Sequence, residues 1–164
     1  MSGSRQAYAF IDGQNLHLSI RNQGWTLDYR AFRQYLADKF RVSKAFYFIG
    51  FLATNADLYE CLQREGYILV FKPTLMVRGV LKGNVDAELV LHAMVEYENY
   101  EQAVIVSGDG DFHCLVKYLK TKGKLGKLVV PDDTRYSSLY RNYRSDIMGL
   151  NKLRGKLELK KREA

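Results

Sequence analysis

Ala103-Val104-Ile105-Val106-Ser107-Gly108-Asp109-Gly110-Asp111 runs four apolar residues into a turn that delivers two aspartates. Ala7-Tyr8-Ala9-Phe10-Ile11-Asp12-Gly13 repeats the design near the N-terminus, an apolar run stopped by Asp-Gly. Runs this short, apolar throughout and bounded by turn residues, read as buried strands. Strands buried on both faces belong to a parallel sheet covered by helices. Working outward, Lys44 to Phe51 and Tyr67 to Phe71 give two more strands, rich in aromatic and β-branched residues, and Pro73 closes the second. Lys127 to Val130 gives another, stopped by Pro131, and Asp146 to Leu150 a short sixth.

Helical patterns separate them. Leu16 to Ile20 is a short helical piece, and Leu27, Ala31, Phe32, Tyr35 and Leu36 form a stripe on one face. Asn55 to Glu65 is helical, with Gly66 as the residue that ends it. Val85 to Tyr97 follows, with Asn84 as its N-cap, then Asp111 to Lys122. Tyr136 to Tyr143 reads as helix, with Tyr136, Tyr140 and Tyr143 on one face facing the core or, less simply, an RNA strand. Leu153 to Lys161 is a terminal helix or tail. Strand and helix in alternation imply right-handed crossovers and an α/β fold with a parallel sheet of five or six strands. Thr74 to Gly83 has little periodicity and two glycines, and reads as a loop near a site.

A length of 164 residues fits one domain, basic from about residue 151 onward. No apolar stretch reaches the roughly 18 residues of a spanning helix. Cys61 and Cys114 lack metal-ligand spacing and read as buried thiols of a reducing cytosol, so a cytoplasmic location is expected. Charge is unevenly spread: residues 1–114 carry a net −2, and residues 115–164 a net +9. The basic part could face phosphates or merely solvent. No Walker A, GxSxG or GxGxxG pattern occurs, which argues against P-loop, hydrolase-elbow and dinucleotide chemistry.

Ligands of open α/β sheets gather beyond the carboxyl ends of strands, where strand order reverses. Asp12, Asp109 and Asp111 all sit at such ends. If their strands are neighbours, the carboxylates converge and repel one another unless a cation lies between them. Magnesium suits that role because it takes oxygen ligands and keeps several waters. Gly13, Gly108 and Gly110 read as permitting tight turns and close approach of backbone to phosphate. The plainer alternatives are real for two residues. Asp86 could simply complement a helix dipole, and Asp111 could simply cap a helix.

Three motifs then carry a resemblance. Phe10-Ile11-Asp12-Gly13-Gln14-Asn15, Lys82-Gly83-Asn84-Val85-Asp86 and Ser107-Gly108-Asp109-Gly110-Asp111-Phe112 occur in the order typical of the NYN domain family, in its bacterial LabA-like branch. The resemblance covers roughly residues 7–150. That family is similar to PIN and FLAP nucleases. The resemblance implies a three-layer sandwich with strand order 3-2-1-4-5, making strands one and four neighbours. It also implies a ribonuclease site that uses Mg2+ or Mn2+, held by Asp12, Asp86, Asp109 and Asp111, with Asn15 supporting the site or contacting phosphate. Lys82, Ser107 and Lys117 are the expected substrate contacts. RNA, single-stranded or structured, is the implied partner, no membrane is expected, and a homodimer is a possible assembly. Many relatives carry a further Asp where this chain has His92; His92 could ligate manganese, or Glu88 could replace the acid. His17, His92 and His113 otherwise share no ligand spacing and read as packed or surface residues.

Two rival functions stand beside the ribonuclease. One is an RNA- or protein-binding adaptor with a weakened site. The other is a small-molecule phosphohydrolase, disfavoured because no Asp follows Asp12 by two residues.

Overall fold

The computed structural model describes residues 6–51, 55–73, 75–78, 80–82 and 85–160. Strand β1 (Ala7–Asp12) is buried along its whole length. It pairs in parallel with β2 (Val42–Phe51) on one side and β6 (Gln102–Val106) on the other. With β3 (Tyr67–Pro73), β7 (Leu125–Val130) and β8 (Ile147–Gly149), the sheet runs β3-β2-β1-β6-β7-β8, all parallel. Leaving aside a separate hairpin, that is strand order 3-2-1-4-5-6. The expected neighbours, first and fourth, are indeed paired, and a sixth strand extends the edge. From β1 the chain winds first to one side, then returns to the other, so strand order reverses between β1 and β6.

Alternation along β1 builds two cores. Ala7, Ala9 and Ile11 pack with Leu16 and Ile20 of α1 (Gly13–Asn22), Phe32 and Leu36 of α2 (Tyr29–Phe40), and Leu62 of α3 (Ala56–Arg64). Tyr8 and Phe10 pack on the other face, with Leu89 of α4 (Asp86–Val95) and Leu115 and Leu119 of α5 (His113–Thr121). Helices on both faces of one sheet make three layers. Local chemistry sets the helix ends. Asp28 caps α2 by accepting from Ala31 N at 3.1 Å, and Gly66, at φ +98°, ends the turn after α3. A short helix, α6 (Arg154–Leu157), buries Leu157 against the first core. The strand of chain beyond it returns to the fold: Leu159 N donates to Thr26 O at 2.8 Å.

Three local expectations change. The segment from Thr74 to Gly83 is not an irregular loop over its described part. β4 (Leu75–Val77) and β5 (Val80–Lys82) form an antiparallel hairpin, whose three-residue strands are too short to show alternation. The proposed cap Asn84 lies outside the described residues. Residues 110–112 and 138–146 are 3-10 rather than α-helical. Finally, Cys114 is exposed and Cys61 only half-buried, because α5 turns Leu115, Val116 and Leu119 inward instead. Among the described residues no helix is long and apolar enough to cross a membrane.

Candidate metal centre

Asp12 closes β1 and at once caps α1, so one residue ends a strand and starts a helix. The residue is 4% exposed. Oδ1 accepts from Asn15 N at 3.2 Å, and Oδ2 accepts from Ser107 Oγ at 3.1 Å. Ser107, fully buried, also accepts from Asp109 N at 3.1 Å. Asn15 Oδ1 accepts from Gly108 N at 3.0 Å. Two polar links therefore tie the end of β1 to the turn after β6, across the point where strand order reverses. Asp109 Oδ1 accepts from Asp111 N at 2.9 Å and so caps the following 3-10 turn. Tyr140 OH donates to Asp109 O at 2.6 Å.

Asp86 arrives in the first turn of α4. One carboxylate oxygen from each of Asp12, Asp86 and Asp109 lies within 4.8 Å of the others. They face a cleft of 340 Å³ that Gln14, Asn15, Leu18, Val85 and Asp111 also line. Asp111 is exposed on its rim and stands outside the group of three. Burial holds the Asp12 carboxyl above its ordinary range, and the charge of Asp109 pushes the same way; the bonds from Asn15 and Ser107 offset part of this.

The donors fit a hard cation. All three are carboxylates, the ligand type that magnesium and manganese accept, and the open cleft leaves room for the waters that complete their shells. No thiol or imidazole joins them among the described residues, so a zinc-type donor set is not present. A buried carboxylate beside like charges gains from a cation placed among them.

His92 is not among the donors. Its ring packs 5.5 Å from Phe46 and 5.5 Å from Phe48. Six helical residues place it about 9 Å along α4 from Asp86, which removes it from the centre. Glu88 turns to Lys72, with Oε2 3.7 Å from the ammonium, and does not stand in for a missing acid. His113 packs against the rings of Tyr140 and Tyr143, and His17 is exposed. Ser107, expected as a substrate contact, is fully buried and braces Asp12 and the Asp109 amide. Lys117 is exposed on α5 and does not line the cleft. Lys82 ends β5, and its side chain lies outside the described residues.

Sequence reading missed Tyr140 as a support of the site. The tyrosine stripe marked it as core, which it is, but nothing in the spacing reveals a bond to the Asp109 carbonyl. Tyr140→Phe should lower the melting temperature by about 2–4 °C, the shift for roughly 1 kcal/mol of lost hydrogen bond. A thermal melt in EDTA checks this, and an unchanged midpoint would leave the bond without structural weight.

Comparison with known proteins places these features. The family model of the NYN domain matches residues 7–143. The protein LabA ("low amplitude and bright") of Synechococcus elongatus is 26% identical over 160 residues, spanning 91% of this chain and 86% of that one. A crystal structure of a protein of unknown function from Vibrio parahaemolyticus superposes with a TM-score of 0.79, covering 97% of this chain and all of the other at 22% identity. That likeness speaks to fold alone. A weaker superposition, TM-score 0.44 at 13% identity over 67% of this chain and 52% of the other, reaches the zinc-bound T5 5′-exonuclease and bears on neither fold nor function. The matched span runs from the first residue of β1 into the tyrosine-bearing 3-10 segment and takes in all three carboxylate-bearing motifs, and so the chain belongs to the NYN domain family.

Proposed function

We propose that the protein is a divalent-metal-dependent ribonuclease. The observation that carries this is the meeting of Asp12, Asp86 and Asp109 in one cleft at the reversal of strand order. Those three carboxylates would hold a divalent cation, which would supply an acidified water and a Lewis acid for a phosphoryl oxygen. The chain's own groups do the rest. Asp12, Asp86 and Asp109 supply the ligands. Asn15 and Ser107 fix Asp12 and the Asp109 turn in one geometry, which spares reorganisation during reaction. Asp111, exposed at the rim, is assigned to orient the attacking water. Lys82 is assigned to the leaving oxygen. Magnesium or manganese and an RNA strand, single or structured, complete the reading. RNA is preferred over DNA on family kinship alone.

Labelled RNA incubated with manganese should be cut, EDTA should stop the cutting, and Asp12→Asn should remove it. Binding without cleavage in either metal would support the adaptor instead, a reading that the packed imidazole of His92 favours where many relatives carry an acid. Phosphatase activity with no effect on RNA would support the small-molecule enzyme.

Two cations of the basic face are already engaged within the fold. Lys120 is paired with Asp146 at 2.9 Å, and Lys124 lies 3.9 Å from the Tyr97 ring centre. Lys117 on α5 and Lys122 just past its end, the latter more loosely placed at 5.6 Å from the Tyr118 ring centre, are the cations left to meet phosphate. Replacing both with Ala should flatten the salt dependence of RNA affinity by about 0.7 in log–log slope per lost contact. A slope equal to wild type would move the RNA-binding face away from α5.

A further inference from the structure

A second cavity, of 570 Å³, lies beside the edge strand β8, within the size range of small-molecule sites. Ile147 and Met148 give it apolar surface, Tyr136 an aromatic side chain, and Arg144 and Lys152 two cations. Its one acid, Asp133, is already engaged. Oδ1 accepts from Asn151 Nδ2 at 2.9 Å, and Oδ2 lies 3.1 Å from Lys152 Nζ. Among the described residues Arg144 forms no ion pair. The cavity therefore offers a free guanidinium beside the aromatic ring of Tyr136, with Met148, whose sulfur accepts from Tyr35 OH at 3.2 Å, on its wall.

One wall of the cavity reaches the turn that carries Asp109. A Cβ placed on Gly108 would lie 3.6 Å from Tyr136 Cβ, and Ser137 N donates to Gly108 O at 3.1 Å. Tyr136 thus stands against the turn that carries Asp109. Among the described residues the acidic cleft is lined by four aspartates and no basic side chain, so away from a bound cation and the lysine assigned to the leaving oxygen it repels phosphate. A strand lying there needs positive charge one or two nucleotides away, and Arg144 supplies it.

Resting on the ribonuclease reading, we propose that this cavity is a nucleotide subsite, holding a unit of the same RNA strand with its base against Tyr136, within reach of the Met148 wall, and its phosphate at Arg144. Aromatic rings stack on any base, so the subsite selects a nucleotide rather than a sequence. An acidic peptide could meet the same guanidinium but brings no obligatory planar face.

The test uses the whole protein with 13C-labelled methionine methyls, in EDTA, titrated with adenosine 5′-monophosphate. The Met148 methyl, assigned by its loss in Met148→Leu, should shift through the ring current of the base. Inorganic phosphate should not reproduce the shift. Arg144→Ala, at an exposed position, and Tyr136→Leu should each weaken nucleotide affinity about tenfold. In manganese, the same two variants should raise KM for an eight-nucleotide RNA by a similar factor while kcat holds. A Met148 methyl that ignores the nucleotide, with KM unmoved in both variants, overturns the subsite and leaves the ribonuclease standing. A shifted methyl in a protein that cuts no RNA retains the pocket and removes the ribonuclease. Displacement of the nucleotide by a stoichiometric acidic peptide also overturns it, in favour of a protein partner.

Discussion

Asp12→Asn should lower kcat for metal-dependent RNA hydrolysis by about a thousandfold or more, because several kcal/mol of charge stabilisation leave with the ligand. The same change should make the metal-free protein more stable. Burial and the neighbouring Asp109 raise the Asp12 carboxyl in the folded state. The native chain therefore holds that proton more tightly than the unfolded chain does. Between the unfolded and the native pKa, stability falls as pH rises, and above the native value the full cost persists. Asparagine removes the cost and its pH dependence. It also keeps the local bonding: Oδ1 still accepts from Asn15 N, and the Ser107 hydroxyl can turn to accept from the new amide. In EDTA at neutral pH the melting temperature should rise by about 2–4 °C for each kcal/mol relieved. Loss of both activity and stability would instead make Asp12 a structural acceptor.

Gly13→Ala should destabilise the fold by about 3 kcal/mol or more, near the upper end of overpacking costs, a fall of roughly 6–12 °C. A Cβ at this position would lie 2.4 Å from Tyr47 Cε1 and 2.7 Å from the carbonyl oxygen of Phe48. Neither can yield. Tyr47 is fully buried, its hydroxyl 3.1 Å from that of Tyr29, and Phe48 belongs to β2, paired with Asp12. A melting curve decides this, and a shift under about 2 °C would mean that α1 can slide outward without loss.

That glycine shows where sequence reading reached the right residue for another reason. Gly13, Gly108 and Gly110 read as sources of backbone freedom, yet none has a positive φ. Gly13 is needed for space, a fact of the neighbouring strand that no local pattern displays. The sheet itself was legible, since apolar runs stopped by Asp-Gly at Asp12 and by Ser-Gly-Asp at Asp109 leave few alternatives to buried parallel strands. Their adjacency was not legible from spacing; it entered through the family resemblance, and the pairing of Phe10 with Ile105 shows it. The hairpin over residues 75–82 escaped because three-residue strands outside the main sheet carry no alternation. Ser107 was expected to face substrate, and its hydroxyl bridges Asp12 and the Asp109 amide; a hydroxyl at a strand end looks the same in sequence in either setting. Asp111 was grouped with Asp109 through their shared motif, with a capping role as the plainer alternative; the 3-10 turn leaves its carboxylate at the rim, outside the group of three.

A manganese titration followed by calorimetry, on the wild type and on Asp12→Asn, Asp109→Asn and Asp111→Asn, reaches the central claim most directly. Wild type should bind, the first two variants should lose at least about a hundredfold in affinity, the upper range for disturbed metal sites, and Asp111→Asn should lose only a few-fold. No heat of binding in the wild type, or an affinity indifferent to Asp12 and Asp109, would contradict the claim that these carboxylates form a cation site.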